Sequence, residues 1–91
     1  MKDFFKIGKA TLLLKRPFLR GTLSGAPLDD PASELLRTFG KAIDRRDNVK
    51  RKGEDPVIIK ENDDICAELE LELIVVLRAL RQRELRQRSS Q

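Results

Sequence analysis

Few residues of this chain could do chemistry, and the chain contains no histidine. Its one cysteine, Cys66, would need a cationic neighbour to become a reactive thiolate, but the nearest charges along the chain are acidic. Because Cys66 also falls among apolar residues at helical spacing, we expect a buried structural thiol. A lone cysteine cannot form an intramolecular disulfide, so a reducing, cytoplasmic setting is expected.

Three carboxylates alternate with leucine in the stretch ELELELIVV, which runs from Glu68 to Val76. Such residues can bind a hard cation or act as general acid and base. On a helix, however, residues two apart point about 200° away from each other, so Glu68, Glu70 and Glu72 would not converge. The sequence also has no glycine-rich phosphate loop, metal-spaced cysteine pair or nucleophile elbow. We therefore predict no enzyme activity, no cofactor and no metal site.

The basic residues form two clusters that could contact nucleic acid. The phosphate backbones of DNA and RNA attract such clusters, but the chain has neither tyrosine nor tryptophan to stack on bases. Solvation, or ion pairs with an acidic protein partner, is the favoured explanation. The candidate nucleic-acid contacts are Arg45, Arg46, Lys50, Arg51, Lys52, Arg78, Arg81 and Arg83.

The element that positions most of these side chains is a long C-terminal helix. The alternation in ELELELIVV fits a strand, but residues 63–86 contain no Gly or Pro and are dominated by strong helix formers. The acids come first and the bases last, which is the order that the helix dipole favours. We predict a helix over 63–86, capped by Asn62 or Asp63, and a frayed tail over 87–91.

This helix is apolar on two sides, which implies a partner. Its internal face is predicted to comprise Ile65, Leu69, Leu73, Val76 and Leu80, and its partner face Leu71, Ile74, Val75 and Leu85. A chain of 91 residues buries only about two-thirds of its unfolded surface, too little to cover both sides. Residues 61–76 carry six acids and no base, whereas 77–91 carry five bases and one acid. Antiparallel pairing of two copies would therefore set opposite charges side by side. A hairpin against the basic N-terminal element of the same chain would satisfy the acidic half equally well.

A second helix is predicted over 31–45. Asp30 can cap its first turn and Pro31 suits the first helical position, while apolar residues recur at helical spacing from Leu35 to Ile43. Gly40 costs about 1 kcal/mol relative to alanine inside a helix. Either a neighbouring backbone passes close to it or the defect is tolerated.

The remaining segments are less regular. Residues 1–27 form a basic N-terminal element followed by a loop that begins near residue 20; a short helix ending by Arg16 is favoured over a strand. Residues 46–62 are predicted to be a charged loop with one short extended segment at 57–60, after Pro56. Residues 28–91 would form the helical domain proper.

The sequence as a whole predicts a mainly α, small helical domain. No apolar run approaches the roughly 20 residues of a transmembrane segment. The expected function is a small basic interaction or adaptor module that self-associates through its C-terminal helix as a homo-oligomer, most simply an antiparallel dimer. The sequence is also compatible with a heterologous protein partner. The alternative is a small basic nucleic-acid-binding regulatory protein that presents its arginine clusters from a dimer.

Overall fold

The computed structural model describes residues 2–25 and 30–89, with the backbone alone described at 24, 25, 84, 85 and 87–89. Its helices are α1 (Phe4–Lys15), α2 (Arg20–Gly25), α3 (Asp30–Arg51) and α4 (Pro56–Ser89), and a single 3₁₀ turn, Pro17–Leu19, joins α1 to α2. These residues include no strand. The prediction of a mainly α fold is therefore confirmed, and the ELELELIVV stretch is helical.

Helix α4 begins earlier than the predicted start at residue 63. The expected extended segment at 57–60 is wrong, because these residues form the first turn of the helix. Asp55 caps it by accepting a hydrogen bond from the backbone N–H of Val57 at 2.9 Å, and Pro56 occupies the first helical position. Asn62, expected as a cap, lies within the helix, where its side-chain amide donates to the carbonyl oxygen of Ile58 at 2.8 Å.

Helix α3 is also longer than predicted, so the loop expected over 46–62 is reduced to residues 52–55. Gly53 has a positive φ of 66°, a left-handed conformation that glycine adopts without steric cost. Its N–H donates to the carbonyl oxygen of Lys50, and that of Glu54 donates to Val49, each at 3.2 Å. These two hydrogen bonds form a Schellman motif, which ends α3 and turns the chain directly into α4.

Helix α1 packs against α3 at a close backbone crossing. A Cβ atom placed on Gly40 would overlap the carbonyl oxygen of Phe4, and one placed on Gly8 would overlap that of Leu36. Of the two explanations for Gly40, the close neighbouring backbone is thus the correct one. The expected short helix ending by Arg16 is present, and Asp3 caps its start by accepting from the N–H of Lys6 at 3.1 Å.

The loop expected near residue 20 is partly wrong, because residues 20–25 form α2, whereas 26–29 lie outside the described residues. Leu19 and Leu23 are buried and join a core that draws on all four helices. The fully buried large side chains of this core are Phe39, Leu12, Leu36, Leu73 and Leu77. Helix α4 thus contributes one side to the core and leaves the rest of its surface outside.

Candidate protein interaction surface on helix α4

The side of α4 that faces away from the core carries two large apolar side chains. Leu71 is 61% exposed and Val75 is 67% exposed. Each is two residues from Leu73, which is fully buried, and two residues turn a helix by about 200°. Both residues were predicted to face a partner, and both point outward.

The other two residues of the predicted partner face differ. Ile74 is half-buried and packs against the core, because one residue turns the helix only about 100° from Leu73. The side chain of Leu85 lies outside the described residues. Leu71 and Val75 therefore form an exposed apolar surface on this side of α4, the outward patch.

Shallow apolar depressions continue from this patch toward α3. One is lined by Leu35 of α3 together with Leu71, Glu72, Val75 and Val76 of α4. The next, nearer the α3–α4 turn, is lined by Thr38, Ile65, Glu68, Leu69, Leu71 and Glu72. Apolar surface is thus exposed along several turns of α4 and extends onto its neighbour.

Ile65 corrects the predicted internal face, since it is 47% exposed. Leu73 is buried and Leu69, Val76 and Leu80 are half-buried, as an internal face requires. The centre of the buried face lies further round the helix than the sequence suggests, through Cys66 and Glu70.

Glu70 is held in the core by two cationic side chains at the end of α1. Only 8% of it is exposed. Arg16 donates to one of its carboxylate oxygens from Nη2 at 3.0 Å and from Nε at 3.3 Å, and Lys15 Nζ lies 3.4 Å from the other oxygen. This cluster joins α1 to α4. It was missed in the sequence, where its only signal is that Glu70 lies between Cys66 and Leu73 on one side of a helix.

The acidic side chains on the outward side of α4 are exposed to solvent, unlike that of Glu70. Glu61, Asp64, Glu68 and Glu72 are exposed, and the ion pairs between described side chains involve none of them. Glu68, Glu70 and Glu72 point in different directions, as their spacing predicts. The outward patch is therefore bordered by carboxylates that form no ion pair with any described side chain.

Cys66 is buried, as expected, and belongs to the core. Burial raises the pKa of its thiol, and the positive charge of Arg46 opposes that shift only in part. A thiol protonated in this way is a poor nucleophile. Across the described residues, no group of three or more His, Cys, Asp or Glu side chains is arranged to hold a metal ion.

The basic residues predicted to contact nucleic acid are placed in two separate regions. In the first, Arg46 and Lys50 lie beside Asp63, at 3.8 Å and 3.1 Å, whereas the remaining members Arg45, Arg51 and Lys52 are exposed. In the second, the guanidinium of Arg78 lies 5.8 Å from the centre of the Phe18 ring. Asp63 and Arg78 are separated by roughly 20 Å along α4, so the two clusters do not form one continuous surface.

Arg81 and Arg83, the other two residues of the second region, are exposed. A guanidinium nitrogen of Arg81 would lie 3.3 Å from a Cβ atom placed on Gly21, which puts this arginine beside α2.

Within the part of the chain that the structure describes, no helix is both long and apolar enough to cross a membrane. Comparison of the chain with protein-family models, with curated proteins and with solved structures found no match in any of the three. The surface of α4 is therefore the basis for a functional proposal.

Proposed function

We propose that this protein is a non-enzymatic helical interaction module that self-associates through the outward side of α4, in a reducing, cytoplasmic setting. The observation that carries this proposal is the exposure of Leu71 and Val75 on a helix whose opposite side is fixed in the core by Leu73 and Leu77. Helices α1 and α3 would act as the scaffold that holds α4 in place. The partner then covers the apolar surface that this small core leaves open.

The free energy available from this surface suits a weak complex. Burying a Leu or Val side chain contributes about 1.5–3 kcal/mol, and two copies of the outward patch supply four such side chains. Association costs about 4–15 kcal/mol in lost freedom of motion. We therefore expect a dimer that forms at modest protein concentration and dissociates on dilution.

The distribution of charge favours antiparallel pairing. The exposed acids Asp64 and Glu68 precede the outward patch, and the exposed base Arg78 follows it. Two copies in opposite directions place acids beside bases, whereas parallel copies place like charges together. The carboxylates along this side of α4 would then find their cationic partners in the second chain.

Substitution of Val75 by glutamate tests the proposal. The wild-type chain should show an apparent mass that rises with concentration in light scattering. Val75→Glu should remain monomeric over the same range, because the dimer interface would otherwise bury two new carboxylates, one from each copy, against apolar surface. The matched control is Leu14→Glu, since Leu14 is a large apolar residue of α1 that is 84% exposed and lies away from the patch. It should associate as the wild type does.

A wild-type chain that stays monomeric at every concentration would contradict self-association, and a complex with a different protein would then replace it as the proposal.

The nucleic-acid alternative has its own test. Binding of duplex RNA or DNA that weakens steeply with salt, and that is lost when Arg78, Arg81 and Arg83 become alanine, would favour that alternative. No binding at low salt would eliminate it.

A further inference from the structure

The outward side of α4 carries a regular row of exposed residues whose spacing alternates between four and three. This row, the outward seam, comprises Val57, Glu61, Asp64, Glu68, Leu71, Val75, Arg78 and Gln82, all of them exposed. Alternating spacings of four and three are those of a coiled coil, in which one side of a helix follows a second helix over many turns. With 34 residues against 22 in α3, α4 is long enough to present such a seam.

Two copies of the outward seam that run in opposite directions are complementary in residue type. Acids occupy the first part, Leu71 and Val75 the middle, and Arg78 and Gln82 the end. In a parallel pair, Glu68 would face Glu68 of the second copy and Arg78 would face Arg78. In an antiparallel pair, the acids face the end that holds Arg78 and Gln82, and the apolar middle faces itself.

The geometry points to a second copy of this chain on the outward seam, antiparallel, with the two-fold axis level with Leu73. Leu71 of each copy then faces Val75 of the other, and Glu68 of each copy faces Arg78 of the other. Asp64 lies opposite Gln82, whose amide can donate to its carboxylate. This inference rests on the proposed antiparallel self-association and adds the contacting residues and the register.

Neighbouring registers of the same two seams are less favourable. If the two-fold axis moves toward the N-terminus, to the next register in which seam residues face each other, Leu71 lies opposite Glu68 and Val75 lies opposite Asp64 of the second copy. Moving it one step toward the C-terminus sets Val75 against Arg78. Either shift desolvates charged groups against apolar side chains, which is costly. The register centred at Leu73 sets Leu71 against Val75 and Glu68 against Arg78, and it places Asp64 opposite the amide of Gln82.

The side chain of Arg78 contacts an aromatic ring of its own chain. Its guanidinium lies over the ring of Phe18, 5.8 Å from the ring centre, and the residue is exposed. A guanidinium held on an aromatic face loses less freedom when it pairs with a carboxylate. Phe18 thus supports the cationic member of each intermolecular pair.

Cysteine cross-linking tests the register directly. In the proposed dimer, residue 68 lies beside residue 78 of the second copy, whereas the two residues at position 68 are roughly 15 Å apart along the helix, as are the two at position 78. Glu68→Cys and Arg78→Cys should therefore each fail to cross-link alone under mild oxidation. An equimolar mixture should give a disulfide-linked heterodimer, which keeps the second Glu68–Arg78 pair intact. The wild type, whose Cys66 is buried, is the control and should not cross-link.

Charge reversal provides a second, independent measurement. Glu68→Arg and Arg78→Glu should each raise the dissociation constant of the homodimer about tenfold or more, because like charges then face each other twice. Mixing the two variants should restore association, since both facing pairs regain opposite charges. Glu54→Arg, in the exposed turn between α3 and α4, is the matched control and should behave as the wild type does.

The failure of this inference differs from the failure of the proposed function. Cross-linking of each single-cysteine variant with itself would indicate a parallel pair, and a dimer that shows neither cross-link would have another register. Both results overturn the inference and leave self-association in place. A chain that is monomeric by light scattering overturns both.

Discussion

The charged side chain of Glu70 is buried in the core, where its ion pairs with Lys15 and Arg16 link α4 to the end of α1. We expect Glu70→Gln to lower the free energy of unfolding by about 1–3 kcal/mol, because Arg16 and Lys15 lose the carboxylate that both contact. Those two side chains are about half-exposed, so water can compensate in part and the lower end of the range is expected. Urea unfolding followed by circular dichroism measures the change.

The control for this prediction is Glu72→Gln, two residues further along α4. Glu72 is exposed and takes part in none of the ion pairs between described residues, so its substitution should change the free energy of unfolding by less than about 0.5 kcal/mol. Equal effects of the two substitutions would mean that the cluster around Glu70 contributes nothing to stability.

The sequence predicts the individual residues of α4 only in part, because helical periodicity fixes relative directions and leaves the direction of the core open. Leu71 and Val75 were placed outward correctly. Ile65, expected on the internal face, is exposed, and the burial of Glu70 was not predicted, because apolar content alone does not show which side of a helix faces the core. The cations that make Glu70 acceptable in the core include Arg16, which lies 54 positions away in sequence and whose proximity only the fold reveals.

At the level of helices, the sequence contains residues typical of the observed end of α3 and of the observed start of α4. Neighbouring residues in both places are more typical of a loop or an extended segment. Asp55 and Pro56 repeat the pattern of Asp30 and Pro31, which predicts a helix start within one residue of the observed start of α3. At the later site, the β-branched run that follows Pro56 suggested an extended segment. Gly53 after Lys and Arg residues is an ordinary helix C-terminus, yet the charge density of residues 46–52 suggested a loop. Packing against the core decides such cases over local preference.

The crossing of α1 and α3 depends on the absence of a side chain at Gly40. Alanine would ordinarily stabilise a helix interior by about 1 kcal/mol relative to glycine. Here its Cβ atom would lie 2.7 Å from the carbonyl carbon of Phe4 and 3.0 Å from the amide nitrogen of Gly8, so the helices must separate. We expect Gly40→Ala to lower the free energy of unfolding by about 1–3 kcal/mol, as overpacking does. Denaturant unfolding measures this directly.

Gly21→Ala is the matched control for Gly40→Ala. Among the described atoms, a Cβ atom on Gly21 of α2 would meet only the end of the flexible Arg81 side chain, at 3.3 Å, which can move aside. This variant should be as stable as the wild type or slightly more so. If Gly40→Ala proved equally harmless, the close approach of the two backbones would not be needed for stability.

At the level of the whole molecule, the core is built on one side of α4 and the outward seam on the other. Both sides belong to one continuous helix, so contacts made by a second copy would stabilise the folded chain as well as the dimer. Folding and association are then linked through mass action, because the second copy binds the folded chain only. A monomeric domain with the same core would lack this link.

The link predicts a melting temperature that depends on protein concentration. For the wild type, at concentrations above the dissociation constant of the dimer, a tenfold increase should raise Tm by about 3–5 °C. Val75→Glu should melt at a Tm that is independent of concentration, and Leu14→Glu should follow the wild type. Differential scanning calorimetry over a hundredfold concentration range measures all three. A wild-type Tm that stays constant where light scattering shows dimer would mean that the two copies separate before the chain unfolds, and that the outward seam adds nothing to the stability of the fold.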